Sequence, residues 1–207
     1  MRISNEEKEQ IVARIIDSAE RQIAATGLSG LNLRSLASDA GIKPASLYNH
    51  FKGGLDEVIL RVNSRTIKML DQSLARAAKK ADGEPVAVLF DSMAVAYLHF
   101  AIKHEKRFAA LFEHRMANDA PIPEWHLQEH YNLFRHVERP LAAMNPNLGE
   151  DERRILARTI YSSVHGIVHL GRQGRLIALP VPVIEQQLGV ITQVLADGLS
   201  AFAAKLS

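Results

Sequence analysis

The chain has 207 residues, with 25 Lys and Arg against 23 Asp and Glu and no cysteine. That length can bury a substantial core in one or two domains, and 47% hydrophobic with 23% charged residues is ordinary globular composition, which argues against long disorder. Disulfides and thiolate chemistry are excluded, and a net charge of +2 lacks the basic excess that announces many nucleic-acid binders.

No apolar run approaches the roughly 20 residues of a spanning helix. Residues 1–7, MRISNEE, are no signal peptide. The expectation is a soluble, cytoplasmic chain without membrane contact.

Ser4 followed by Glu7 forms a capping-box pattern and predicts a first helix from about Asn5. Ile11, Val12, Ile15, Ile16, Ala19 and Ile23 recur at three and four, giving one apolar stripe that Gly27 ends. Residues 31–51, LNLRSLASDAGIKPASLYNHF, then read as two short helices around a tight turn. Asn32 can cap the first, because its side-chain carbonyl accepts an otherwise unpaired N–H. Leu33, Leu36, Ala37 and Ala40 share a face, and Gly41 suits the left-handed angle that ends a helix. Ile42 plugs the turn, and Pro44 suits the first position of the second helix, where its missing N–H is not needed. Leu47 and Phe51 give that helix a buried edge. Its other face carries Lys43, Ala45, Ser46, Asn49 and His50, with Tyr48 between them. Small, polar and cationic groups on an exposed helix suit a major groove. Residues 1–65 hold nine Lys and Arg against eight Asp and Glu, so the helix pattern makes this case and charge does not.

The residues from Asn32 to Ala37, and the string Gly–apolar–four residues–Leu–Tyr–x–His–Phe–Lys from Gly41 to Lys52, resemble the TetR-type one-component transcriptional regulators. The resemblance implies a helix-turn-helix DNA-binding domain over residues 1–54 and a ligand-binding and dimerisation domain over 55–207. It implies that Arg34, Tyr48, His50 and Lys52 position the protein on phosphates. Lys43, Pro44, Ala45, Ser46 and Asn49 would lie nearest the base edges. The chain departs from the family pattern at Gly53 and Gly54, which bears on a phosphate contact at the start of the fourth helix.

That fourth helix is predicted from about Leu55 to Ala78, ~35 Å at ~1.5 Å per residue. Residues 81–85, ADGEP, break the chain. Val86, Leu89, Phe90, Met93, Tyr97 and Phe100 mark a fifth helix, and Phe108, Leu111 and Phe112 a short sixth. A seventh spans Trp125 to Met144, with a kink or break at Pro140. An eighth runs from Glu150 to about Leu170, and a ninth from Val183 to Ala204. No alternating β-type run occurs, so the fold class is all-α with about nine helices, a three-helix reader before a larger bundle.

The family resemblance implies a homodimer through the last two helices. Ile184, Leu188, Ile191, Leu195, Leu199 and Phe202 form a stripe on the ninth, and Ser162, Ser163 and Gly166 permit close approach on the eighth. Two reading helices one DNA turn apart, ~34–36 Å, would meet an inverted-repeat operator. The same resemblance implies a pocket for a small effector, for which Phe90, Met93, Tyr97, Phe112, Trp125 and Phe134 are the large side chains available. Residues 161–170, YSSVHGIVHL, resemble the Trp-His-Gly segment of one class of TetR ligand domains, the WHG type, with Val164 in the Trp place. His165 and His169 therefore join the pocket candidates.

Nine histidines are present, eight of them after residue 98. His126/His130 and His165/His169 are i, i+4 pairs, and each could chelate a divalent metal from one helix face. HLQEH does not place its Glu as a zincin does. The leading expectation is a ligand-responsive regulator, a repressor released by a small apolar or aromatic effector, with no cofactor and no enzymatic activity. The alternative is a metal-sensing regulator, or an all-α metal- or ligand-binding protein using those histidine pairs. A helix-turn-helix adaptor that no longer binds DNA is a third reading.

Overall fold

The computed structural model describes residues 4–172 and 179–206, with side chains described as far as residue 199. Among these residues every regular element is helical. The order is α1 (Asn5–Thr26), a 3-10 turn (Leu28–Gly30), α2 (Leu33–Ala40), a 3-10 turn (Pro44–Ser46), α3 (Leu47–His50), α4 (Gly54–Lys80) and α5 (Val86–Lys103). Then come α6 (Glu105–Glu113), a 3-10 turn (Ala117–Asp119), α7 (Glu124–Met144), α8 (Glu150–Arg172) and α9 (Val181–Leu206). The expected all-α class holds, with nine α-helices among the described residues.

The chain forms two compact units. One comprises the residues up to 69 together with 103–129, and the other residues 70–102 with those from 130 onward. In the first, the capping box forms as the sequence predicts. The Glu7 amide donates to Ser4 Oγ at 3.1 Å, and the Ser4 amide donates to Glu7 Oε2 at 2.8 Å. Ile11, Ile15, Ile16, Ala19 and Ile23 of α1 meet Leu36 and Ala40 of α2, Leu47 of α3 and Phe51 that caps it, Val58 and Val62 of α4, and Ala110 of α6. Three short helices enclose too little apolar surface to be stable alone. The start of α4 and the returning α6 close the core. Compactness therefore groups α6 with the reading helices, whereas a boundary at residue 54 follows chain order.

Polar contacts tie this unit at its surface. The Gln22 side chain donates to Ser35 Oγ at 2.9 Å and accepts from the Asn32 amide at 3.0 Å, linking α1 to the start of α2. Arg65 Nη1 lies 2.6 Å from both Asp17 and Glu20, and Arg107 Nη2 lies 2.8 Å from Glu20. Glu20 of α1 thus receives cations from both α4 and α6.

In the second unit, α5 corrects one expectation. By length and composition it is apolar enough to cross a membrane. It buries Phe90, Met93, Ala94, Tyr97, Leu98, Phe100 and Ala101, and a helix apolar all round is what a core requires. The α7 helix is not broken at Pro140 and continues to Met144. The proline removes only one i→i−4 bond, near the C-terminal end.

The α9 stripe is a second correction. Ile184 and Leu188 are buried within their own protomer. A Cβ on Gly171 of α8 would stand 3.0 Å from the Ile184 side chain, so the two helices approach closely there. Ile191, Leu195 and Leu199 are half-buried. The large apolar side chains left exposed on these helices, among the described residues, are Val181, Val183, Val190 and Val194 of α9, with Ile155 and Leu170 of α8. Phe202 lies outside the described side chains, and residues 173–178 lie outside the described residues.

Candidate nucleic-acid interface and ligand cavity

Sequence-encoded caps set the reading segment. Asn32 Oδ1 accepts from the amides of Arg34 (2.9 Å) and Ser35 (3.3 Å) and starts α2. Gly41 ends it at φ 71°, while the Ile42 amide reaches back to the Ala37 carbonyl at 2.9 Å and the Gly41 amide to Ser38 at 3.0 Å. That pair of bonds is the Schellman reversal, which needs a left-handed residue. Lys43 is extended, as a residue before proline prefers. The second helix opens as the 3-10 turn from Pro44 and becomes α-helical only over Leu47–His50. Leu47 and Phe51 anchor it in the core. Outward stand Lys43, Pro44, Ala45, Tyr48 and Asn49, with Ser46 and His50 half-buried; Arg34 and Lys52 are exposed on either side in sequence.

Tyr48 is 55% exposed. Its ring rests against Gly54, where a Cβ would come within 2.9 Å of the ring and where φ is +60°. Gly54 therefore has a local reason, since it makes room for Tyr48 in a backbone conformation that other residues resist. The Gly53 amide donates to Glu57 Oε2 at 3.1 Å. A helix N-terminus ordinarily offers amides and positive potential to a phosphate. Here α4 has Asp56 and Glu57 in its first turn and gives that amide to Glu57.

The second unit contains a cavity partly open to solvent, with about 560 Å³ of empty space when the solvent at its mouth is included. Its walls are Leu70 and Leu74 of α4; Phe90, Met93, Ala94 and Tyr97 of α5; Leu133, Phe134, His136 and Val137 of α7; Ile160, Tyr161 and Val164 of α8; and Thr192 of α9. Tyr97 Oη lies 2.8 Å from His165 Nδ1 and 3.3 Å from Tyr161 Oη. The Phe134 ring meets Tyr161 edge-on at 5.3 Å, Tyr161 stacks on His165 at 5.8 Å, and His165 stacks on His169 at 5.4 Å. Burial pushes the Tyr97 phenol well above the usual range and raises Tyr161 too. Burial, with the neighbouring His169, holds His165 below the ordinary histidine value. His136 Nε2 lies 2.7 Å from Asp71 Oδ1, and Arg135 Nη2 lies 2.7 Å from both oxygens of the same carboxylate.

Of the effector candidates, Phe90, Met93, Tyr97 and Phe134 line this cavity; His165 bonds to Tyr97, and His169 continues the ring stack. Phe112 and Trp125 do not line it, which corrects their placement. Both belong to the first unit, where Phe112 packs on Phe108 at 5.1 Å and Trp125 lies beneath the Arg61 guanidinium at 5.2 Å. Tyr161 and His136 were missed. Tyr161 stands one turn before His165, so helical spacing carried its signal. Nothing local singled out His136.

Among the described residues no group of three His, Asp or Glu is placed to hold an ion. His126 is buried, with Nδ1 3.3 Å from Ser64 Oγ and 3.4 Å from Glu129. Burial, reinforced by nearby His114, lowers its pKa to about 4. His165 and His169 stack with ring centroids 5.4 Å apart.

Residues 15–54 match the family described as bacterial regulatory proteins, tetR family, and residues 90–195 match the tetracyclin repressor-like C-terminal domain. The chain belongs to the TetR family. It is accordingly a DNA-binding transcriptional regulator and not an enzyme. An uncharacterised HTH-type transcriptional regulator of Mycobacterium tuberculosis is 28% identical over 163 residues, 77% of this chain and 69% of that protein. A similarly described Haemophilus influenzae protein is 35% identical over 89 residues; the match covers 42% of this chain and 43% of that protein, under half its length. TetR-like architecture extends across solved structures of low identity. A Rhodococcus sp. RHA1 protein of unknown function superposes with TM-score 0.70 at 23% identity, over 92% of this chain and 95% of its own. RolR in complex with resorcinol does so with TM-score 0.63 at 14% identity, over 89% and 96%.

Proposed function

We propose that this TetR-family protein is a homodimeric repressor that binds an inverted-repeat operator and is released by a small apolar or aromatic effector. Residues 1–54 would read DNA, and residues 55–207 would bind the effector and dimerise. The observation that carries the reading is the coexistence in one chain of an exposed reading segment and an apolar cavity in a different compact unit. Arg34, Tyr48, His50 and Lys52 would hold phosphates. Lys43, Pro44, Ala45, Ser46 and Asn49 would face base edges. The resorcinol carried by RolR lends support to a small effector.

Dimerisation rests on the exposed apolar side chains of the last two helices. Ile155, Ser162, Gly166 and Leu170 recur along one side of α8, and a Cβ at Gly166 would meet nothing within 4 Å. Val183, Val190 and Val194 do the same on α9, and four such helices from two copies would cover one another. An effector acts only through its difference in affinity between the operator-bound conformation and one whose reading heads miss their half-sites.

The test is fluorescence anisotropy of the purified protein on the DNA upstream of its own gene, at two salt concentrations, followed by selection from random DNA. Selective binding of a dimer to an inverted repeat is expected. Salt-labile binding with no selected sequence in either experiment would overturn the reading.

A further inference from the structure

The cavity's chemistry narrows what can occupy it, on the reading that this cavity takes the effector. Among the described residues its walls contain no Lys, Arg, Asp or Glu. Asp71, which meets the wall residue His136 through one oxygen, is also held by Arg135 through two. A cationic ligand would find that carboxylate neutralised. An anionic one would find no lysine or arginine among the described wall residues, and an ion moved out of water without a partner costs far more than any single hydrogen bond returns. The polar groups that remain are hydroxyls and one imidazole. The Thr192 hydroxyl is committed to its own helix, donating to the Leu188 carbonyl at 2.9 Å.

Beside the His136 imidazole, whose Nε2 is engaged by Asp71, Tyr161 is the end of a hydrogen-bond chain. Tyr97 Oη and His165 Nδ1 are at a short 2.8 Å, whereas Tyr97 and Tyr161 are 3.3 Å apart, well beyond the ~2.7–2.8 Å at which hydroxyls usually pair. If Tyr97 donates to His165, Tyr161 donates to Tyr97 and offers lone pairs to a ligand. If His165 donates to Tyr97, Tyr97 donates to Tyr161, and the Tyr161 proton turns to the ligand. A ligand hydroxyl both donates and accepts, so it satisfies either sense; an ether or ketone satisfies only one. The Phe134 edge on Tyr161 supplies an aromatic wall beside that hydroxyl.

The geometry points to an uncharged ligand that carries a hydroxyl on an apolar, preferably aromatic, body, with the hydroxyl held at Tyr161. Both phenols stay protonated and His165 stays neutral at physiological pH, because burial disfavours their charged forms. This hydrogen-bonded trio thus presents no charge of its own.

The test uses matched probes on the full-length protein: 4-butylphenol, butylbenzene, 4-butylbenzoate and (4-butylphenyl)trimethylammonium, measured by calorimetry. Binding of 4-butylphenol at least tenfold tighter than either ion, and several-fold tighter than butylbenzene, is expected. The conservative Tyr161→Phe variant should lose the preference over butylbenzene while still binding butylbenzene. Equal or tighter binding of the benzoate or the ammonium, a preference unchanged in Tyr161→Phe, or no binding by any probe would overturn the inference. Release from the selected operator is read separately. Phenol binding without release would sink the effector reading and leave the ligand class standing, whereas release by an ion alone would do the reverse.

Discussion

The Tyr48 ring occupies the space where Gly54 lacks a side chain, with the would-be Cβ 2.9 Å from Cε1. Gly54→Ala therefore meets two costs at once, a left-handed backbone angle and a clash with the ring. Together they amount to about 1–3 kcal/mol. The expected result is a lower denaturation midpoint and weaker operator binding. In a Tyr48→Ala background the same substitution should cost measurably less, because only the backbone part remains. A double-mutant cycle with no coupling between the two positions would contradict the contact.

Arg34→Ala and Lys52→Ala should weaken binding to every DNA sequence and lower the salt slope by about one each, as loss of one phosphate contact does. Asn49→Ala should change discrimination between operator variants and leave the slope nearly intact. Anisotropy titrations across salt, on the selected operator and on single-base variants, separate the two behaviours. Equal losses on all sequences for all three variants would remove the division of roles.

His126 makes stability depend on pH. Its native pKa, lowered by burial to about 4, lies below the ~6.5 of an unfolded chain. Between those values the unfolded ring binds a proton that the native ring refuses. Stability should thus be full above ~6.5 and fall as pH drops toward about 4, by a few kcal/mol at most. His114 is also lowered by burial and adds a loss of the same sign. Denaturant midpoints from pH 7.5 to 4.5 should fall less steeply in His126→Asn than in wild type, and parallel curves would show that His126 carries none of the dependence.

Val190 is 65% exposed in a single protomer. Val190→Glu should leave helicity and the monomer fold unchanged while placing a charge in the proposed interface. Sedimentation equilibrium is expected to find monomer, with operator affinity falling because half-sites are then bound singly. A dimer that persists unchanged would move the interface elsewhere.

The features legible in the sequence were those written in a few adjacent residues. Ser4 with Glu7, Asn32, and Gly41 before Ile42 each specify a cap through local hydrogen bonds, and each formed as read. The α9 stripe misled because spacing reveals an apolar face without revealing which chain covers it. Ile184 and Leu188 proved to be internal, while Val190 and Val194, at the same four-residue spacing, were left outside. Phe112 and Trp125 were assigned by size alone. Sequence order gave no hint that residues 103–129 return to the first unit. The phenol–imidazole contact of Tyr97 with His165 joins residues 68 apart, a pairing that no local pattern encodes.

That return of residues 103–129 carries a consequence for synthesis on the ribosome. The reading helices emerge first, yet Ala110 and Arg107, which complete their core and meet Glu20, are translated only after residues 70–102. The nascent N-terminal helices must therefore wait, with part of their apolar surface uncovered, through the elongation of an intervening segment that belongs to the other unit. A message pausing before codon 103 would prolong that exposure, and one pausing after codon 129 would leave a reading unit already closed.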